Sequence, residues 1–221
     1  MSKALLCASR TLERTDSVDK LAKFMVGVFT ILSAAKSPRQ ERYGYSAKQL
    51  TEVRSLLRVS RSLALTLKMR SLLELFAAHG FMWTERKKFV EFSKVIFDFI
   101  YAVSDYALLI TRKGLVSEGV DVARLQSCSV AMRLCCHLLG TVFNLFEFCD
   151  AARKREYDPQ AALRACRIAA FGATRDALDA VLTLSVCRYA GSVCQLSPRA
   201  DGALRCLSGG LSMYLSWQDG A

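Results

Sequence analysis

Four basic residues, Arg54, Arg58, Arg61 and Lys68, follow one another at spacings of four, three and seven. At about 100° per residue they share one side of a helix. Val53, Leu56, Leu63 and Leu67 fall mostly on the opposite side, and no acidic residue lies between Glu52 and Glu74. Such a helix can lie in the headgroup layer of an anionic phospholipid membrane, its aliphatic side dipped in and its cations on phosphates. Leu65 and Leu72 interrupt the basic side and Arg70 sits on the apolar one, as on an ordinary helix covering a soluble core. Asp98 and Asp105 form a second candidate set, on one line with Lys94 and Tyr101 in the most apolar part of the chain. Two helical turns apart, they suit a polar stripe or the wall of a water-filled path better than an acid/base pair. Ser208, Gly209, Gly210 and Ser212 form a third, a small-residue face that would let two helix backbones approach closely in a membrane.

The elements that must position these groups read as helices throughout. Thr15 and Asp16 can cap a first helix to Ala35, with Val18, Leu21, Met25, Val28, Leu32 and Ala35 as its apolar stripe. Arg39 to Tyr45 reads as a polar connector, and Ser46-Ala-Lys-Gln49 as a capping box opening the basic helix, which runs towards His79-Gly80. Thr84 is expected to cap the next helix, which extends to about Lys113-Gly114 and carries both central acids. In a membrane those acids would need partners or a water-facing side. Val130 to Cys149 is the better span, about 20 residues long with Arg133 and Glu147 near enough to its ends to snorkel. Asp158-Pro159 has the form of an N-cap followed by proline at the first helical position. The helix it opens becomes apolar from Ala177 to Leu196, Ser197-Pro198 is expected to close it, and Ala203 to Trp217 forms the last segment.

Composition narrows the function classes. A formal charge of +11 with 52% hydrophobic residues and a mean hydropathy of +0.21 fits a membrane protein with basic segments. Nucleic-acid binding would account for the charge alone, and the basic residues are not interleaved with aromatics in a known module. The nine cysteines include no Cys-x-x-Cys pair, and His79 and His137 lie far apart, so no metal site is expected and the thiols read as small apolar groups. Glu13, Asp16 and Asp19 ahead of the run Phe24 to Ala35 argue against a signal peptide. There is no phosphate-cradling glycine loop, no nucleophile elbow and no zinc-protease motif, so the expectation is a non-enzyme without a cofactor. The fold class is all-α: a single membrane-associated helical domain over residues 1–221, with an amphipathic region (1–80), a hydrophobic region (81–221) and one to three spans. A soluble scaffold would instead bury every apolar stripe in a core.

Several stretches together resemble the peroxin-eleven proteins, the membrane-elongation factors of peroxisomes. Thr15-Asp16-Ser-Val-Asp19-Lys20-Leu21 is similar to that family's "T-D-G-R-D-K" opening, and Leu50 to Phe76 occupies the place of its membrane-inserting helix. Asp105 to Leu115 resembles its "D-H-x-x-W-x-x-x-x-G-L" segment, and Asp201 to Trp217 its glycine- and serine-containing hydrophobic ending. Ser17-Val18 replaces the family's Gly-Arg, and the middle tryptophan is missing, as in a divergent branch such as that of glycosome-bearing protists. The resemblance implies a peroxisomal or glycosomal membrane protein with both termini in the cytosol. It also implies homo-oligomers, a role in elongating the membrane, and recruitment of the fission machinery, a dynamin-related GTPase and its adaptor. A pore or carrier for small metabolites is the alternative role.

Overall fold

The computed structural model describes residues 3–35, 37–79, 86–115, 119, 121–187 and 195–220. They form six α-helices and one short 3-10 turn, with no strand: α1 (Lys3–Ser33), α2 (Gln40–His79), α3 (Arg86–Arg112), α4 (Val122–Arg153), α5 (Pro159–Val186) and α6 (Pro198–Gly220). Each helix packs on its neighbour in sequence, and α6 returns to pack on α1. The helices therefore close a ring, and its interior belongs to all six.

Local chemistry explains several helix ends. The Asp158 carboxylate accepts from the Ala161 amide at 3.0 Å with Pro159 at the first helical position, which opens α5 as expected. Asp121 caps α4 in the same way through the Arg124 amide. Gly114 takes φ +70°, and the Leu115 amide donates back to the Ile110 carbonyl, ending α3 as that glycine suggested.

Other boundaries are corrected. α1 runs on upstream of Thr15 and Asp16, and α2 starts at Gln40, so the expected connector and the Ser46–Gln49 box lie inside a helix. Ser-x-x-Gln fits a helix interior as readily as its start, and only Gly44 in the connector disfavours helix. Ser197-Pro198 opens α6 instead of closing α5, which ends at Val186. Proline at a first turn costs no hydrogen bond, so Ser-Pro marks a start as well as a stop. Thr84 and Gly80 lie outside the described residues.

The interior is shared between apolar and charged side chains. Ala22, Val95, Ala102, Leu108 and Leu182 are buried, but so are Asp19, Lys23, Arg54, Arg58, Asp98, Asp176 and Asp179. The outside carries large apolar side chains from every helix: Leu21, Leu56, Ile100, Leu145, Val181 and Leu207 are all exposed. The expected stripe of α1 points outward, with Val18 and Leu21 about half exposed. A soluble scaffold would bury such stripes, and here those of α1 and α2 stay largely on the outside. Among the described residues α4 is the one helix long and apolar enough to cross a membrane by composition, and only 17% of its apolar window is buried.

Candidate functional site

The turned-in polar faces meet in a cavity of about 310 Å³ on the ring axis. α1 contributes Asp19, Lys20 and Lys23; α2 contributes Arg54, Arg58 and Arg61; α3 contributes Lys94, Asp98 and Tyr101. α4 adds Arg133, Cys136 and His137, α5 adds Arg175, Asp176 and Asp179, and α6 adds Ser212. On α1 to α5 these groups recur at spacings of one, three, four or seven, which selects one helical face.

Ion pairs cross between helices inside the ring. Arg54 Nε donates to Asp19 Oδ1 at 2.8 Å, tying α2 to α1. Arg58, also buried, reaches α3 through Asp105 at 2.8 Å and the Tyr101 hydroxyl, and Arg61 meets Asp98 at 2.6 Å. Lys23 sits between the two Asp179 oxygens at 2.6 and 2.7 Å and donates to the Ser208 hydroxyl at 2.6 Å, joining α1, α5 and α6 at one point. Asp176 takes Arg175 at 2.7 Å, Lys94 at 3.6 Å and the Asn144 amide at 3.0 Å. Among the described residues no buried side-chain polar atom lacks a partner. A polar interior satisfied this fully is what a low-dielectric surrounding demands.

This arrangement reverses the expected use of α2. Arg54 and Arg58 were expected on lipid phosphates, yet they are buried against carboxylates of α1 and α3. Arg61 and Lys68 keep exposed side chains but are engaged by Asp98 and Glu91 of α3. Leu65 and Leu72, the apparent interruptions of the basic side, pack with Val95 and Phe92 at the α2–α3 contact. The apolar residues stand outside: Val53, Leu56, Leu63 and Leu67 are 44 to 64% exposed. The face division was legible, and its direction was not.

Asp98 and Asp105 each meet an arginine of α2; Asp98 lines the cavity, and Asp105 is not among its lining residues. In the small-residue set, Ser208 is fully buried and Ser212 nearly so, and a Cβ on Gly209 would stand 2.9 Å from the Phe24 backbone. Gly210 is the exception: a Cβ there meets nothing within 4 Å, so it takes no part in that contact. The sequence reading missed Asp19, Lys23, Asp176 and Asp179 as site residues, and Gly27 and Gly202 as packing residues. The usable signal was an acid and a base recurring at helical spacing on α1, α3 and α5, as Asp19 and Lys23, Lys94 and Asp98, and Arg175 and Asp179.

Comparison of the chain with protein-family models, with curated proteins and with solved structures finds no match.

Proposed function

We propose that this chain is an integral protein of a peroxisomal or glycosomal membrane and serves the elongation of that membrane before fission. The observation that carries the membrane reading is the inversion: charge is collected inside the ring, and aliphatic side chains from all six helices cover the outside. Lipid accepts such apolar side chains on the outside, whereas large contiguous apolar patches are rare on monomers in water. The link to elongation rests on the four stretches that resemble the peroxin-eleven proteins.

The inversion changes how α2 would act. Its leucines face lipid as the outer wall of an embedded ring, and its arginines hold that wall in place. Elongation then follows from inserting rings into the bilayer and from contacts between rings, with the fission machinery recruited at the cytosolic surface. Alkaline carbonate extraction tests the premise: the full-length protein should stay in the membrane pellet, and release into the supernatant would overturn it. Elongation itself is read from organelle length in cells expressing the chain. Replacing Leu56, Leu63 and Leu67 by serine should shorten the organelles while leaving the ring interior intact; unchanged length would remove α2 from the mechanism.

A second reading, a pore or carrier for small metabolites, has its own support in the cavity, to which every helix contributes. It predicts solute flux across vesicles holding the purified protein. Elongation in cells without any such flux would discard it.

A further inference from the structure

We infer that the ring cavity is a binding site for a small phosphate-type dianion, inorganic phosphate or a phosphate ester. The inference rests on the second reading, in which solutes enter the ring, and names the class of solute. Eight basic side chains line the cavity against four carboxylates. Asp105 beyond the lining supplies a fifth through Arg58, which leaves a formal excess of three positive charges among the described residues. The carboxylates are shared: Arg175 and Lys94 divide Asp176, and Arg54 and Arg58 both approach Asp19.

Arg133 is left over. It is half-buried, and its partners among the described residues are the His137 ring nitrogen at 3.4 Å and the face of Tyr101 at 5.7 Å. Arg58 lies over the same ring at 5.4 Å, so two guanidiniums converge on one phenol, Arg58 paired with Asp105 and Arg133 with no described carboxylate. An uncompensated positive charge inside an apolar shell is unstable, and an anion drawn from solution is its natural complement. Guanidinium forks match phosphate oxygens, and a dianion offsets most of the excess. A cavity of about 310 Å³ has ample room for a phosphate or a small phosphate ester.

The test uses the full-length protein in nanodiscs of neutral phosphatidylcholine, titrated with inorganic phosphate against chloride as the control anion. Phosphate should bind saturably and raise the melting temperature, chloride should not, and Arg133→Gln should weaken binding about tenfold or more. Arg133 has no carboxylate to orphan, so the variant should fold; unchanged helical circular dichroism checks this, and exposed Arg70→Gln should bind like the parent. If phosphate is silent but phosphatidic acid built into the nanodisc gives an Arg133-dependent shift, the site holds a lipid-borne phosphate. Absence of both effects in folded protein, or Arg133→Gln binding as tightly as the parent, overturns the site. Flux through vesicles separates the two claims: binding without flux keeps the site and discards the passage, and flux indifferent to phosphate and to Arg133 does the reverse.

Discussion

The α1–α6 and α2–α3 seams close the same ring by opposite means. At α1–α6 the backbones nearly touch: a Cβ on Gly27 would sit 2.7 Å from the Cys206 amide, and one on Gly202 would sit 2.9 Å from the Gly27 carbonyl. At α2–α3 long side chains span the gap, with Arg58–Asp105, Arg61–Asp98 and Lys68–Glu91 ranged beside the Leu65, Leu72 and Val95 cluster. The first seam rejects added volume, and the second rejects unbalanced charge. Close packing and interhelical polar contacts are also the two means of association that a lipid surrounding would leave, since it supplies no hydrophobic drive between helices.

The sharpest way to break the comparison is charge reversal on α2, at the second seam and at the adjoining α1–α2 contact. Arg54→Glu with Arg58→Glu sets acid against Asp19 and Asp105 in the interior. The loss should exceed the roughly 5–15 kcal/mol that holds a domain together, so no monodisperse helical protein should be recovered in detergent. Recovery of a normally folded protein would show that these arginines are not interior groups. Next comes Asp179→Ala, which strands buried Lys23 where α1, α5 and α6 meet. Breaking one partner of such a pair costs about 3–5 kcal/mol, a fall in melting temperature of about 10 °C or more. Asp179→Asn, which keeps an acceptor, should recover part of it.

Volume tests the first seam. Gly202→Val drives methyls into the Gly27 carbonyl and the Ile31 side chain, at a cost of about 1–3 kcal/mol. The same seam contains its own control: Gly210→Ala meets open space and replaces a poor helix former, so it should be neutral or gain up to about 1 kcal/mol. If the two substitutions melt alike, backbone proximity does not define this seam. The smallest effect is expected from Arg70→Gln, which removes an exposed i, i+4 pair with Glu74 worth about 0.3–0.5 kcal/mol.

The two seams also differ in how legible they were. Ser208, Gly209 and Ser212 could be read because small residues at helical spacing mean close approach wherever they occur. The basic face of α2 was equally visible as a pattern, but periodicity fixes only that two faces differ. In water the leucines would turn inward, in lipid the arginines do, and the letters are identical in both cases. Leu65 and Leu72 held the missing clue, since two leucines on a basic face suit a packed interface and have no use among phosphates. Span prediction was blunted for the same reason. α1, α2, α3 and α5 each spend two or three charges on the ring interior and α4 only Arg133, which lowers the hydropathy of those four helices. Asp158-Pro159 was read correctly because a cap is satisfied within its own helix.

The ring has a temporal consequence. Lys23 and Ser208 are 185 residues apart in the chain, and their contact belongs to the closing seam. At about 5–20 residues per second, the ribosome makes α6 roughly 10–40 s after α1. Throughout that interval Gly27 has no helix against it, and α1 and α5 both present faces that α6 alone covers. The growing protein is then an open arc whose last two seams close together, when its final helix arrives.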